Sequence, residues 1–328
     1  MSEVYLFIIF SLILSLAIDL IYGELPTKIH PVVIIGKIIE FFKSKFITIK
    51  NRWSGFLTTL FTILISCTLL LIIMLISSIN DYLFIIIYSI ILSSSYSIKM
   101  LLTSAKSIEN DLKEDIDKAR QAVSYLVSRD TEELTESFIV SATIESMTEN
   151  ITDSYIAPIF YFTIISIIFI IFNINYYIIL LFIPFIYRIS NTLDAMLGYT
   201  TDELINIGFF PAKLDDLLNY LPSRISGLFV VISAYLLNYN GKNAYRILRR
   251  DARKCPSPNS GYTMAPTAGA LDIQLVKKGT YVLGDNTHEI DVHDISKAIK
   301  LTSLTITLFT IFILIIITIF NLIIWNYN

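Results

Sequence analysis

The chain has 328 residues, of which 54% are hydrophobic and only 16% charged, with a mean hydropathy of +0.66 and a formal net charge of −3. Soluble domains average about 25% charged residues, so this composition excludes an ordinary soluble globule and predicts a membrane protein. Nucleic-acid binding is excluded as well, because no basic stripe with interleaved aromatics is present.

About 20 apolar residues cross a bilayer as a helix. The first such run, residues 4–22, contains Asp19 near its end and lacks a basic leader, so it reads as a retained span rather than a cleaved signal. Residues 56–79 form the second span, and Asn80-Asp81 turns the chain into a third at 82–98. The run 156–189 is too long for one crossing and is interrupted by Asn173-Ile174-Asn175, which predicts a tight hairpin of two helices. Residues 225–237 are too short to span and are expected to be re-entrant or interfacial; residues 301–325 form the last span. The expected fold class is therefore all-α: a polytopic membrane protein of about six spans, with amphipathic cytoplasmic helices and one short re-entrant or interfacial helix.

Charge sets the expected orientation. Lys28, Lys37, Lys43, Lys45, Lys50 and Arg52 crowd the stretch 23–55 against Glu24 and Glu40, which places it in the cytoplasm by the positive-inside rule. The polar blocks 99–154, 188–224 and 242–300 then fall on the same side, both termini outside, and the four blocks form one cap on a single membrane-embedded domain, 1–328. The localisation that follows is the cell membrane, multi-pass, with the active face towards the cytoplasm. Within 99–154, residues 107–126 read as one solvated amphipathic helix, and Asp130 or Thr131 as the cap of the next.

The chemistry concentrates beside the spans. Thr143 to Pro158, taken as a helix, places Glu145, Glu149 and Asp153 at i, i+4 and i+8, with Asn150 beside them. No Lys or Arg lies between Thr143 and Tyr187 to dilute this face. Carboxylates so close to a membrane span are costly unless a cation, metal or substrate compensates them; the plain alternative is an acidic first turn that favours the dipole of the next helix. Asp19, with Gly23-Glu24-Leu25-Pro26 and His30-Pro31, forms a second polar cluster, which equally fits a simple helix exit. Asn191 and Asp194, three apart, share a helical face, as do Asp215 and Asn219, four apart, with Asp216 about a quarter-turn away. Oxygen ligands without thiols suit a hard cation such as Mg²⁺, which takes only one or two protein carboxylates when phosphate oxygens complete its shell. Ser257-Pro258-Asn259-Ser260-Gly261 is a turn entering a small-residue helix, a geometry that lets backbone N–H groups approach a phosphate. The basic residues Arg246 to Lys254 before it fit either an anionic ligand or the membrane surface. Walker-type, G-x-G-x-x-G and H-E-x-x-H motifs are absent, so a nucleotide must be held in another way. Cys67 and Cys255 supply neither a disulfide framework nor metal-ligand spacing.

In order along the chain stand Asp19…Gly23-Glu24-x-Pro26…His30-Pro31, Arg129-Asp130-Thr131, Ala142-Thr143-Ile144-Glu145-Ser146…Glu149-Asn150…Asp153, Asn191-Thr192-Leu193-Asp194-x-Met196, Asp215-Asp216-x-x-Asn219-x-x-Pro222-x-Arg224 and Ser257-Pro258-Asn259-x-Gly261. Together they resemble the membrane-bound adenosylcobinamide-phosphate synthases of cobalamin biosynthesis, from about Asp19 to Gly284. The sequence departs from that pattern at Ser128, Ser141 and Tyr262, where Gly, Arg and an indole are usual. The resemblance implies an ATP-dependent amide ligation that joins (R)-1-aminopropan-2-ol or its phosphate to the propionate of adenosylcobyric acid, with ATP and Mg²⁺ as cofactors. It makes Glu145, Glu149, Asp153, Asp215 and Asp216 the candidate catalytic acids, with Glu149, Asp153 and Asp215 as magnesium ligands. Asp19, His30, Arg129, Asn150, Asn191, Asp194, Asn219, Arg224, Ser257 and Asn259 become candidate substrate or phosphate contacts. Membrane lipid and neighbouring membrane proteins of the same pathway are the expected partners. A secondary transporter with a carboxylate cation site would show inverted repeats, and a membrane phosphoalcohol transferase a differently spaced Asp pattern; the sequence has neither.

Overall fold

The computed structural model describes residues 3–49, 51–127, 129–199 and 201–327, with Tyr327 described by its backbone alone. Lys50 of the basic stretch and Ser128 of the family pattern lie outside the described residues. The chain separates into two compact units. The first comprises Met1–Ile98, Ala157–Leu218 and Ile313–Asn328, and the second Lys99–Ile156 and Asn219–Phe312.

In chain order the helices begin with α1 (Glu3–Tyr22), α2 (Pro31–Phe46), α3 (Trp53–Ser77) and α4 (Asp81–Ser93). Next come α5 (Ile98–Glu114), α6 (Ile116–Ser124) and α7 (Glu136–Ile151), followed by a π-helical turn at Thr152–Ile156. The chain continues through α8 (Ala157–Ile171), α9 (Tyr177–Leu197), α10 (Phe209–Leu218), α11 (Tyr220–Leu236), α12 (Gly241–Asp251) and α13 (Gly261–Leu271). A hairpin, β1 (Gln274–Lys277) and β2 (Tyr281–Gly284), precedes the long α14 (His293–Tyr327).

Among the described residues, five helical stretches are long and apolar enough to cross a membrane: Glu3–Tyr22, Trp53–Ser77, Glu136–Ile171, Tyr177–Leu197 and His293–Asn326. Two broken pairs, α4 with α5 and α10 with α11, raise the number to seven if each counts as one span. The protein is thus a multi-pass helical membrane protein, and the short run at 225–237 belongs to one of the broken pairs.

The first unit is patterned as a membrane bundle. α1 buries Ile8, Ser11, Leu12, Ser15 and Asp19 along one face while Leu6, Phe10 and Ile13 point outward. α3 likewise buries Thr58, Thr62, Ser66, Leu70 and Met74, four residues apart, and exposes Leu64, Leu71 and Ile72. Lipid is as apolar as Leu, so burial is assigned to small and weakly polar residues that let helices approach closely. Gly55 shows this directly, since a Cβ there would stand 2.3 Å from the carbonyl oxygen of Ile207. α8 and α9 form the expected hairpin around Asn173, which takes φ 49°, a left-handed turn that Asn tolerates.

In the second unit, α7 and α13 pack with the hairpin around Ile144, Met264, Leu275 and Leu283, all fully buried. The strands pair antiparallel, Lys277 opposite Tyr281, around a turn in which Gly279 has φ 72°. The sequence reading had only helices here, because two four-residue strands are too short to show a periodicity. The predicted helix over 107–126 is broken at Asp115, whose side chain accepts from the Asp117 N–H and starts α6 afresh. The cap expected at Asp130 or Thr131 is also displaced: the next helix begins at Glu136 after Thr135, and the Asp130 carboxylate instead accepts from the Glu132 N–H in a tight turn.

Candidate active site

In the second unit the site is built on α7. Glu145 is 2% exposed and its carboxylate is saturated. Oε2 accepts from Arg129 Nη2 at 2.7 Å and from the Tyr281 hydroxyl at 2.7 Å, and Oε1 accepts from Ser141 Oγ at 2.7 Å. Ser141 in turn accepts from the Val276 N–H at 3.0 Å, so helix, hairpin and the 129 loop are tied through one carboxylate. Tyr281 and Ser141 were missed as site residues: Tyr281 lies in the unrecognised hairpin, and Ser141 was noted only as a departure from the family pattern. Burial, and then the Glu145 charge, push the Tyr281 phenol well above its usual range, so it stays a donor.

Glu149, one turn on, is exposed, and the charges around it are those of Asp153, Lys277, Glu145 and Arg129. Asp153 is half-buried and falls within the π-helical turn. The three acids differ in burial: Glu145 is enclosed in protein, Glu149 is exposed, and Asp153 is half-buried within the wider turn, with the charges of Glu145 and Asp153 both acting on Glu149. Such π-bulges recur at functional sites because they re-aim one side chain. Asn150 turns back on its own helix, donating to the Ser146 carbonyl at 2.8 Å.

A second cluster of this unit surrounds Arg224. Its Nη1 donates to Asn259 Oδ1 at 2.6 Å and to the Tyr220 carbonyl at 2.7 Å, and its Nη2 donates to the Pro258 carbonyl at 3.1 Å. The guanidinium stacks 3.7 Å from the Tyr220 ring centroid and 4.1 Å from that of Tyr262. Ser257 Oγ accepts from the Asn259 N–H at 3.2 Å, shaping the loop. A hydrogen bond from Arg253, opposed by burial and helped by Arg224, holds the Tyr262 phenol below its ordinary value. Asn219 is buried at the break between α10 and α11. Asp215 lies on α10 and Asn219 just past its end, so the single continuous helix expected to carry both is interrupted between them.

The first unit gathers the other predicted residues. Asp19 is 2% exposed, and its Oδ2 accepts from the Ile98 N–H at 3.1 Å, at the start of α5. His30 caps α2, its Nδ1 accepting from the Val32 N–H, with Pro31 in the first turn where no amide is needed. Burial, with Arg188 assisting and Glu24 opposing, lowers the His30 pKa, so the ring is a neutral acceptor. Arg188, to which the sequence assigns no role, donates from Nε to the Ser95 carbonyl at 2.9 Å and from Nη1 to Asn191 Oδ1 at 3.1 Å. Asn191 extends this chain to Asp215 Oδ1 at 3.5 Å. Asp194 leans over Gly198, where a Cβ would lie 2.1 Å from Oδ1, so Gly is required there. Asp216 pairs with Lys213 at 3.4 Å on the surface of α10.

No group of three or more His, Cys, Asp or Glu is arranged to hold a metal ion among the described residues. Glu149 and Asp153 in the second unit and Asp215 in the first are oxygen donors of the kind Mg²⁺ takes, one or two per ion when phosphate oxygens complete its shell.

Fold and site thus define a multi-pass helical membrane protein with a charged, oxygen-donor site beside its spans. The family of the CobD/Cbib protein matches residues 12–302. The chain is 48% identical over 300 residues to the probable cobalamin biosynthesis protein CobD of Methanothermobacter thermautotrophicus, covering 91% of this chain and 94% of that one. It is 42% identical to the protein of the same description from Methanococcus aeolicus (84% and 86% covered) and 38% identical to that from Methanocaldococcus jannaschii (91% and 94%). The chain belongs to the CobD/Cbib family. No solved structure matches it.

Proposed function

We propose that the protein acts in cobalamin biosynthesis, joining (R)-1-aminopropan-2-ol or its phosphate to the propionate carboxylate of adenosylcobyric acid at the expense of ATP. The observation that carries this reading is the exposed Glu149 set among Arg129, Lys277 and Asp153, beside a Glu145 that is wholly engaged in holding Arg129. The family and the description of its relatives support the pathway; the arrangement of charges supports the chemistry.

A carboxylate is activated for amide formation by taking a phosphoryl group from ATP, with loss of ADP. The amine then attacks the carbonyl carbon, the phosphate leaves, and the amine loses a proton. Arg129, held by Glu145, whose carboxylate Tyr281 in turn holds, supplies a preorganised cation for the developing negative charge. Arg224, held in its fork geometry by Asn259 and Pro258, presents a guanidinium suited to phosphate oxygens, with the Ser257–Asn259 turn beside it. Glu149 accepts the ammonium proton or, with Asp153, ligates the cation. Mg²⁺, when bound there, would neutralise phosphate charge. In the first unit, Asp215 and Asp216 with Asn191 and Asp194, and Asp19 and His30, are assigned to substrate contacts, as Asn219 is in the second, and Asp215 is retained as a magnesium ligand of its unit. The protein works in the cell membrane with this face towards the cytoplasm, next to other membrane proteins of the pathway; failure of any of these to co-purify in mild detergent would overturn that association.

The test is incubation of the purified protein with adenosylcobyric acid, Mg-ATP and either amine, read by mass spectrometry of the corrinoid. An ATP-dependent product heavier by one condensed amine is expected. Absence of product with both amines, from folded protein, overturns the reading.

A further inference from the structure

α12 is steeply amphipathic. It buries Ala244, Ile247, Leu248 and Asp251 and turns Lys242, Arg246, Arg249 and Arg250 outward. The basic face lines an open cleft of about 870 Å³, bordered also by Asn240, Asp272 and Thr287. The sequence reading left this basic run between an anionic ligand and the membrane surface.

Two of the four cations are held rigidly. Asp251, fully buried, accepts from Arg250 Nε and Nη2, both at 2.7 Å, and Arg250 Nη1 donates to Asp285 at 2.6 Å. Arg246 donates to Asp285 and, from Nε, to Asn243 Oδ1 at 2.9 Å. Asn243 is itself fixed, its Nδ2 donating to Asp272 Oδ1 at 2.7 Å. The other two cations, Lys242 and Arg249, form no ion pair among the described residues. They lie seven residues apart, two turns or about 10 Å along the helix. The exposed ring of Tyr245 sits between them in sequence, with the Arg249 guanidinium 5.9 Å from its centroid.

We propose that this cleft binds the polyphosphate chain of a nucleotide. Cations outnumber carboxylates on its wall: Arg246 and Arg250, engaged by Asn243, Asp251 and Asp285, contribute a fixed positive field, and Lys242 and Arg249, which form no ion pair among the described residues, are the groups that reach phosphate oxygens. The exposed Tyr245 offers a face for a base. A helix that lies on a bilayer turns its apolar face outward; α12 buries that face in protein against α11 and α13. The assignment deepens the ATP-dependent reading above and rests on it for the identity of the nucleotide.

The experiment measures equilibrium binding of ATP, tripolyphosphate and adenosine to the full chain in zwitterionic-lipid nanodiscs, for the wild type and for Lys242→Glu/Arg249→Glu. Both residues are exposed, so the double variant is expected to melt with the wild type; Lys242→Ala and Arg249→Ala singly give a smaller loss in the same direction. ATP and tripolyphosphate are expected to compete while adenosine does not, and the double variant is expected to bind ATP at least tenfold more weakly. Wild-type affinity in the variant overturns the cleft and leaves the ligase reading standing. Absence of ATP and tripolyphosphate binding to the wild type overturns it too. Lost association with phosphatidylglycerol vesicles at unchanged ATP affinity assigns the face to lipid and likewise overturns the proposal. Charge-sensitive ATP binding in a protein that makes no corrinoid product sustains the cleft and removes the ligation.

Discussion

α7 and α12 solve the same problem with opposite charges. Each buries one carboxylate, Glu145 or Asp251, and each uses it to hold an arginine, Arg129 or Arg250. Each then turns charge of its own outward, Glu149 about one turn from Glu145 on α7, and Arg249 and Lys242 on the outer face of α12. A buried charge is stable only when saturated, and a saturated group has no bond left for a substrate. Position on the helix therefore separates acids of the same type into those that build the site and those that act in it.

The largest expected effect breaks the inward half of that comparison. Glu145→Ala leaves Arg129 without its carboxylate partner and should cost about 3–5 kcal/mol, read as a large drop in thermal midpoint together with lost ligation. The outward half behaves differently: Glu149→Gln should lower ligation by about 10²–10³-fold with a thermal midpoint close to that of the wild type, because the amide keeps the shape and removes only the charge. Should both variants lose stability equally, the distinction between the two acids fails.

Asp251 gives the pH-dependent case. Burial alone would raise its carboxyl, but hydrogen bonds from Arg250 and Lys254 and from the Gly284 N–H overcome it and hold the group at about 2. A depressed acid contributes stability that is complete above the unfolded value near 3.9 and is lost as pH falls towards 2, a contribution of about 2 kcal/mol. Asp251→Asn should remove that contribution at neutral pH and flatten the acid limb of the unfolding curve between about pH 4 and 2. Tyr281→Phe, which deletes one of three donors to Glu145, should cost about 1–2 kcal/mol and raise KM or lower kcat only modestly. The smallest effect is at Cys255, where burial raises the thiol to about 11; maleimide labelling of the native protein at pH 8 should leave it unmodified until the chain is unfolded.

Much of this was legible in the sequence. The apolar runs at 4–22, 56–79 and 301–325 became α1, α3 and α14 because a span of about 20 apolar residues has no other way to satisfy its backbone in lipid. The hairpin around Asn173 followed from the same logic. The candidate acids were visible as a spacing, but their division of labour was not: Glu145 and Glu149 are chemically alike and four residues apart. Only the arrival of Arg129 and Tyr281 from distant parts of the chain decides which one is engaged.

Composition and periodicity by themselves determined that this chain is a multi-pass helical membrane protein, and the ordered motifs determined its family, because both are encoded in local residue type and spacing. Tertiary structure alone decided the break at Asp115, the π-helical turn at Asp153, the two-stranded hairpin, and the pairing of Arg188 with Asn191 and of Arg250 with Asp251 and Asp285. The broken helix, the bulged turn and the short strands cost local regularity that only packing can offset, and the pairings depend on residues far apart in sequence or on which way a side chain faces, none of which a linear pattern carries.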